Sequence, residues 1–509
     1  MTKEGFCVEG SLLTQINHIA VNKIGFNQNM TFSTNIPIYE HDLRDIFRMF
    51  APVFCLPLDI RLNYYDGGGC EVKIGEKTYK YVLFTGGVLK KELKKRLYLS
   101  LSDFLGATLP WGSLTGIRPT KIAYKYLYDG GRTENIAKML QDEYYVSPKK
   151  AQLIAKIVKN QTEFLQNIFP NERARTPGVF DGLSGYVNLY VHIPFCPARC
   201  SYCSFVSIPR EKNETLLKEY IALLCRDIVQ TLDLIKRQNK KILSAYVGGG
   251  TPTVLNCEEM DALLSAVGSI DEVGEGKEYT VEAGRPDTIT AEKLEVLKKH
   301  GVTRVCVNPQ TFNDKTLAAI ERSHDAASVV KAFNLCRDYG FDVNMDLIAG
   351  LPGEGVKDFE NSLNFAVALK PENLTVHTLS MKKGSKFHGA GIENEKNLLK
   401  ANVDAQDMVD LAYNTLKNVS YVPYYLYRQK ETAQNLENTG YSLAGKFSIN
   451  NITVMEETVF VYACGAGAIS KNVRGGVITR LAELRDVGLY IKEFDKRLAK
   501  KLDFLGGGG

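Results

Sequence analysis

No stretch of this 509-residue chain stays apolar for the roughly 18 residues that a membrane-spanning helix needs, so no such helix is expected. The opening Met1-Thr2-Lys3-Glu4-Gly5 lacks the charged-then-apolar layout of a secretory signal. Eleven cysteines, an odd number scattered along a long chain, do not make a disulfide framework. Together these absences point to a reducing cytoplasm. The net charge is only +5. There is one tryptophan, Trp111, in the Gly/Pro-punctuated segment Leu109–Lys121, which reads as a structured turn against the core. What remains is ordinary globular composition, 44% apolar and 24% charged, and a length that suggests about two to four domains.

Residues 1 to about 180 read as a separate α+β unit. Glu71–Ile74 and Lys77–Phe84 alternate around Gly75-Glu76, the pattern of a hairpin. A helix is expected from Ser147-Pro148 to about Ile168, with proline at its first position. Between Leu89 and Asn160, 14 Lys/Arg face 6 Asp/Glu. That excess reads either as an RNA-binding surface or, given its helical spacing, as solvated helix faces; the latter is preferred, and no nucleic acid is expected as partner. Asn171–Ser184 reads as a linker.

From about 185 short apolar strands alternate with helices. The strands are expected at 187–193, 243–248, 278–283, 303–308, 342–348 and 373–379, separated by helices such as Glu214–Gln238 and Ala291–His300. Such alternation builds a parallel sheet or partial barrel, with its site at the C-terminal strand ends. A helix near 402–417, Val422–Arg428 and Thr458–Ala463 suggest a C-terminal α+β extension. The expected division is therefore 1–180, 185–400 and 401–505.

The first of these strands runs into His192-Ile-Pro-Phe-Cys196-Pro-Ala-Arg-Cys200-Ser-Tyr-Cys203. Pro194 and Pro197 force a loop in which three thiolates can converge. Three closely spaced cysteines with no evident fourth suit a four-iron cluster with one iron left open. A redox pair at Cys200 and Cys203 would leave Cys196 unexplained, and a zinc site would need His192 as fourth ligand. The other eight cysteines (Cys7, Cys55, Cys70, Cys225, Cys257, Cys306, Cys336 and Cys464) read as buried or free thiols. At the following strand ends stand Gly248-Gly249-Gly250-Thr251, then Glu282 and Arg285, then Asn308 and Gln310 with Arg322 beyond, then Asp346. Each alone could be a cap or a satisfied core group; as a set they mark a site.

Cys196, Cys200 and Cys203, with Tyr202 before the last, resemble the radical S-adenosylmethionine (SAM) signature. Leu189–Cys196, Gly248–Thr253, Val281–Asp287, Val307–Gln310 and Met345–Pro352 resemble, in order, the oxygen-independent coproporphyrinogen III oxidase group. Trp111–Thr120, Leu374–Leu379 and Tyr424–Lys430 are similar to its HemZ-type branch. The resemblance implies an α/β fold, a partial (β/α)6 radical SAM barrel with an N-terminal α+β domain and a C-terminal α+β extension that completes the substrate site. It implies a [4Fe-4S] cluster on the three cysteines, whose fourth iron chelates SAM. One electron then breaks a C–S bond to release a 5′-deoxyadenosyl radical. By the resemblance Tyr202, Phe205, Gly248, Gly249, Gly250, Thr251, Glu282, Gln310, Arg322 and Asp346 are expected to bind the cofactor. Tyr190 matches a tyrosine associated with the cofactor and catalysis; a core strand aromatic is the alternative. The implied partners are a tetrapyrrole substrate, whose anionic propionates some basic residues in the N-terminal unit or near Arg428 could steer or bind, and an electron donor such as flavodoxin or ferredoxin.

The sequence departs from the characterised oxidases at Phe205, where they carry a further cysteine. A haem-trafficking branch shares that Cys-x-Phe ending, so a haem carrier with a regulatory cluster is a second reading. Its His-Asn signature is matched here by Asn435–Tyr441, which has no histidine for haem iron. A radical SAM RNA-modifying enzyme is the third.

Overall fold

The computed structural model describes residues 31–50, 58–65, 68–83, 88–169, 183, 185–205, 207–268, 273–380, 385–386, 392–429, 436–474 and 477–507. Cys7, Cys55, Asn435 and, save Leu183, the linker at 171–184 lie outside them. Two compact units emerge, 1–117 with 134–153, and 118–133 with 154–509.

The first unit holds a four-stranded sheet in the order β1 (Thr31–Thr34), β2 (Asp59–Tyr65), β3 (Gly69–Ile74), β4 (Lys77–Val82). The expected hairpin is β3–β4, antiparallel, with Ile74 opposite Lys77. Gly75 takes φ +56°, a conformation that glycine adopts without strain. Ile60, Leu62, Val72 and Ile74 alternate inward against Leu43, Ile46 and Phe50 of helix Glu40–Phe50 and Leu93, Leu97 and Leu101 of helix Leu89–Leu105. The basic residues of the latter helix are largely engaged at home. Lys90 pairs with Asp42, Lys91 with Glu143 and Arg96 with Glu92, and Lys95 stands over the Tyr145 ring.

The second unit is built on an 11-stranded sheet. Its centre is six parallel strands in chain order: β5 (Tyr186–Ile193), then, after the two-residue strands β6 (Phe195–Cys196) and β7 (Ile208–Pro209), β8 (Lys241–Gly249), β9 (Val273–Glu282), β10 (Arg304–Cys306), β11 (Asp342–Ala349) and β12 (Asn373–Thr378). These are the six expected strands of the partial barrel, and the sheet stays open. The C-terminal region extends both edges. Beyond β12 lie β14 (Glu437–Ser442) and β13 (Val422–Arg428), both pairings antiparallel. Beyond β5 lie β15 (Phe460–Cys464), parallel to it, then β16 (Ile469–Arg474) and β17 (Val477–Ala482). The stretch expected as part of a separate extension thus supplies a seventh parallel strand.

Side chains alternate along every strand. One set, including Leu189, Val191, Val247, Val281, Val305, Val343, Met345 and Val376, joins the main core. The opposite set is polar, including Asn188, Ser244, Glu278, Arg304, Asn344 and Asn373. Helix Ile449–Glu456 satisfies part of it: Asn188 donates to Thr453 (2.8 Å), Ser244 to Asn450 (3.2 Å), and Ser448 to Glu278 (2.7 Å). Arg304 donates to Asn344 (2.9 Å) and to Asn373. This seals the N-terminal halves of the strands and leaves the C-terminal ends for chemistry.

A buried ion pair fixes the β15–β16 turn. Asp227, on helix Glu214–Arg237, bonds Lys501 of helix Phe494–Gly506, and both are nearly inaccessible. Its second oxygen accepts from Tyr490 (3.0 Å) and from the Gly465 amide (3.1 Å). Lys501 also donates to the Ala463 carbonyl (3.2 Å). Removing one partner strands a buried charge, at a cost of about 3–5 kcal/mol. Lys501→Met should therefore lower the unfolding free energy by about that amount, and adding Asp227→Asn should recover part of it. A urea titration showing no loss for the single variant would contradict this role.

Candidate functional site

The three cysteines sit where β5 ends. Phe195–Cys196 pairs with Ile208–Pro209, which closes the base of the loop. Within it the Cys203 amide donates to the Cys200 carbonyl (3.2 Å) and the Ser201 amide to Ile320 (3.2 Å). Burial pushes the Cys196 thiol up to about 11, and raises that of Cys203 as well, each thiol also feeling its neighbours. Among the described residues no three such side chains close around one point as a single metal ion requires. A polynuclear cluster, in which each thiolate takes its own iron, makes no such demand. Zinc with His192 is a poor fit: His192 Nδ1 meets the Ala466 carbonyl (2.5 Å), and its ring lies against Gly249.

The glycine run passes directly across this loop. The Gly250 amide donates to Ile193 (2.7 Å), the Thr251 amide to Phe195 (2.8 Å), and the Thr251 hydroxyl to Cys196 Sγ (3.4 Å). A Cβ at Gly250 would lie 2.5 Å from the Phe195 oxygen and 2.9 Å from Cys196 Sγ. At Gly249, φ is +115° and a Cβ would lie 2.4 Å from the His192 ring. At Gly248 it would lie 2.9 Å from the Glu282 carboxyl carbon. The resemblance implies contact of this run with SAM; in the structure the protein's own cysteine loop, His192 and Glu282 also come this close to it.

Glu282 accepts from Tyr246 (2.6 Å) and from the Gly249 amide (3.0 Å). Burial raises its pKa to about 7, and those two bonds oppose the rise. Tyr190 stacks on Tyr246 at 6.0 Å, and burial raises its phenol. Arg322 is largely committed: it donates to Tyr202 (2.9 Å), Gly284 (2.7 Å) and Asn308 (2.8 Å), which leaves Nε without a partner among the described residues. Gln310 has φ +67° and bridges to Leu347; its buried Oε1, like Asn308 Oδ1, finds no partner among the described residues. Asp346 lies 3.6 Å from His377, which meets Tyr427 (3.3 Å). Phe205 is 63% exposed beside Cys203. Arg428, suggested for propionates, is buried opposite Glu437 and so is not offered to solvent.

Two contributors were missed or underweighted. Arg285 reaches Cys200 Sγ (3.6 Å) and Ser323 (3.1 Å), and Tyr246 holds Glu282. Only the β-strand alternation that places Tyr246 on the Tyr190 face could have signalled the latter. The donor set fits the expected groups. Three thiols suit the cluster, while a buried carboxylate and orphaned amide oxygens suit an ammonium-bearing ligand such as SAM.

A family model for the radical SAM superfamily matches residues 190–366. The oxygen-independent coproporphyrinogen-III oxidase-like protein HemZ of Bacillus subtilis is 37% identical over 448 residues, 86% of each chain. The haem chaperone HemW of the same organism is 34% identical over 201 residues, 39% of this chain and 52% of that protein. Among solved structures, coproporphyrinogen III oxidase (HemN) from Escherichia coli is 20% identical, with 62% of this chain and 70% of that one covered and a TM-score of 0.49.

Gly250→Ala should lose most of its iron on anaerobic reconstitution while the apo-protein stays folded; wild-type iron content would contradict the close approach. Folded, Glu282 keeps its proton up to about pH 7, against an ordinary glutamate value of 4.5. Its contribution is complete below 4.5 and lost as the pH rises through 7. Urea midpoints of the apo-protein should fall across that window, and less steeply for Glu282→Gln; equal slopes would remove burial as the cause.

Proposed function

The chain belongs to the radical SAM superfamily and, within it, to the family of the B. subtilis oxidase-like protein HemZ, and from that premise we propose that it oxidatively decarboxylates coproporphyrinogen III propionates to vinyls without oxygen. Its cofactors are a [4Fe-4S] cluster and SAM. When bound, they supply a radical able to remove a hydrogen atom from an unactivated carbon. In this reading Cys196, Cys200 and Cys203 hold the cluster. Glu282 and the Gly248–Gly250 backbone receive the amino end of SAM, and Gln310 and Asp346 take its other polar groups. Arg322 works chiefly through Tyr202, since its terminal nitrogens are taken. Thr251 steadies Cys196, and Phe205 can cover the cofactor from the solvent side. Tyr190 lines the space below, where the propionate would lie. Residues 185–400 carry the cofactors, 401–505 complete the substrate site, and 1–180 are accessory.

The observation that carries this reading is the 86% coverage of the oxidase-like relative. The match to a haem chaperone favours a carrier as the second reading. An RNA substrate loses support because much of the basic excess is paired within the protein. An electron must be delivered by a small redox protein such as a flavodoxin or ferredoxin, and no helix in the described residues is long and apolar enough to cross a membrane.

The test is anaerobic: reconstituted protein, reductant, SAM and coproporphyrinogen III, with deoxyadenosine and carbon dioxide measured together. Both should appear, and Cys200→Ala should abolish both. Deoxyadenosine without carbon dioxide would refute the substrate. Tight haem binding without substrate-dependent SAM cleavage would favour the carrier.

A further inference from the structure

Strands β12 and β13 carry the greater part of two sequence phrases, Leu374–Leu379 and Tyr424–Lys430, for which the cofactor chemistry has no use. Both strands pair with β14, which lies between them. Gly440 of β14 stands between Thr375 and Tyr425, and a Cβ there would overlap the Tyr425 ring. Glycine therefore lets the tyrosines of β13 lean across β14 to β12. The Tyr425 hydroxyl meets that of Thr375 (3.0 Å), and one step further the Tyr427 hydroxyl meets His377 Nδ1 (3.3 Å). The two tyrosine rings stack at 6.5 Å, 5° from parallel.

The lower step is closed and the upper one open. Thr375 and Tyr425 are each 5% exposed, whereas the His377 side chain is 26% exposed and that of Asp346 beside it 24%. The same change runs along the inner face of β5, β8 and β9. Asn188, Ser244 and Thr280 are inaccessible there, and two residues on, Tyr190, Tyr246 and Glu282 are partly exposed. Side chains two apart on a strand share a face, so on each of these strands the sealed half ends where open space begins. The residues above that boundary line one space. Burial chiefly raises the pKa of Tyr190, Glu282 and Tyr427, and a neighbour in the row adds to each rise: Glu282 for Tyr190, and Asp346 for the other two.

His377 presents a donor to that space. Against burial, Gln429 lowers the Tyr427 phenol, as a donor to its oxygen does, which leaves the Tyr427 proton for His377 Nδ1. The neutral ring then carries its own proton on Nε2, and the protonated ring carries one there as well. Asp346 lies 3.6 Å from Nε2, past hydrogen-bond reach, so it favours that proton without taking it up. The other described residues of the row do not offer the same. Glu282 and Asp346 are acids, Tyr246 donates to Glu282, and Tyr190 is a phenol without charge. Arg428 is buried opposite Glu437, while Arg285 and Arg322 are turned to Cys200 and Tyr202. We propose that His377 binds the carboxylate of the propionate that faces the cofactor, with Tyr427 and Asp346 as its positioning residues. This rests on the tetrapyrrole reading given above. The Nε2–H donates to a carboxylate oxygen, and His377 itself breaks no bond of the substrate.

The test is absorbance titration of the full-length, reconstituted protein with SAM present, using coproporphyrin III, a stable tetracarboxylate, and its uncharged tetramethyl ester. Wild type should bind the acid more tightly than the ester. His377→Phe, which keeps a ring and loses the donor, should weaken acid binding by at least tenfold and leave ester binding unchanged. His377→Gln, which returns an N–H, should recover part of the affinity, and Tyr427→Phe should lose a smaller part. The change in the cluster's paramagnetic resonance signal on adding SAM should be the same in His377→Phe as in wild type; a general loss of structure at this end of the sheet would alter it. Undiminished acid binding in His377→Phe overturns the assignment, and so does an equal loss of acid and ester binding. If wild type binds neither porphyrin, the tetrapyrrole reading itself fails and the assignment falls with it.

Discussion

The mouth of the barrel depends on how closely the backbone at 248–250 passes the cysteine loop. Three consecutive residues there have neighbours that would meet a Cβ at under 3 Å: the Glu282 carboxyl group, the His192 ring, and the Phe195 carbonyl with Cys196 Sγ. Three constraints are thus met by one run without side chains. The amides here are used: Gly250 donates to the Ile193 carbonyl at the end of β5, Thr251 just beyond the run to that of Phe195, and Gly249 to Glu282. The loop, the strand end and the buried carboxylate therefore form one mechanical unit. A displacement of the glycine run would move the thiols and the carboxylate together.

That unit is held from behind by the C-terminal region. His192 bonds the Ala466 carbonyl, Tyr220 links the His192 carbonyl to the Ala466 amide, and Asp227 with Lys501 anchors Gly465. The last helix of the chain is thereby coupled to the end of the first barrel strand. Buried charges are expensive unless fully satisfied. Here Asp227 has three donors, so the pair specifies one placement of the 465–467 turn.

The six parallel strands could be read from the sequence because their apolar runs are bounded by helices of recognisable period. The hairpin at Gly75-Glu76 could be read because its turn is local. Other features are products of distance in sequence. Nothing in Phe460–Cys464 says that its parallel neighbour is β5, some 270 residues earlier. Asp227 and Lys501 lie on amphipathic helices, where a charge normally means solvent, and only packing reveals them as partners. Gly248–Gly250 could be read as part of a site, but not as the run that packs against Cys196, His192 and Glu282. The basic excess of 89–160 was legible as a number; its partners Asp42 and Glu457 lie outside that window. Arg428 was offered to the propionates for its charge, yet strand pairing opposite Glu437 buries it.

Low-temperature electron paramagnetic resonance of the reduced, reconstituted protein tests the central claim most directly, which is that three cysteines hold a four-iron cluster whose remaining iron is open to SAM. The account predicts a reduced [4Fe-4S] signal whose line shape changes on adding SAM and which does not form in Cys196→Ala. A four-iron signal indifferent to SAM, or one that persists without Cys196, would contradict it.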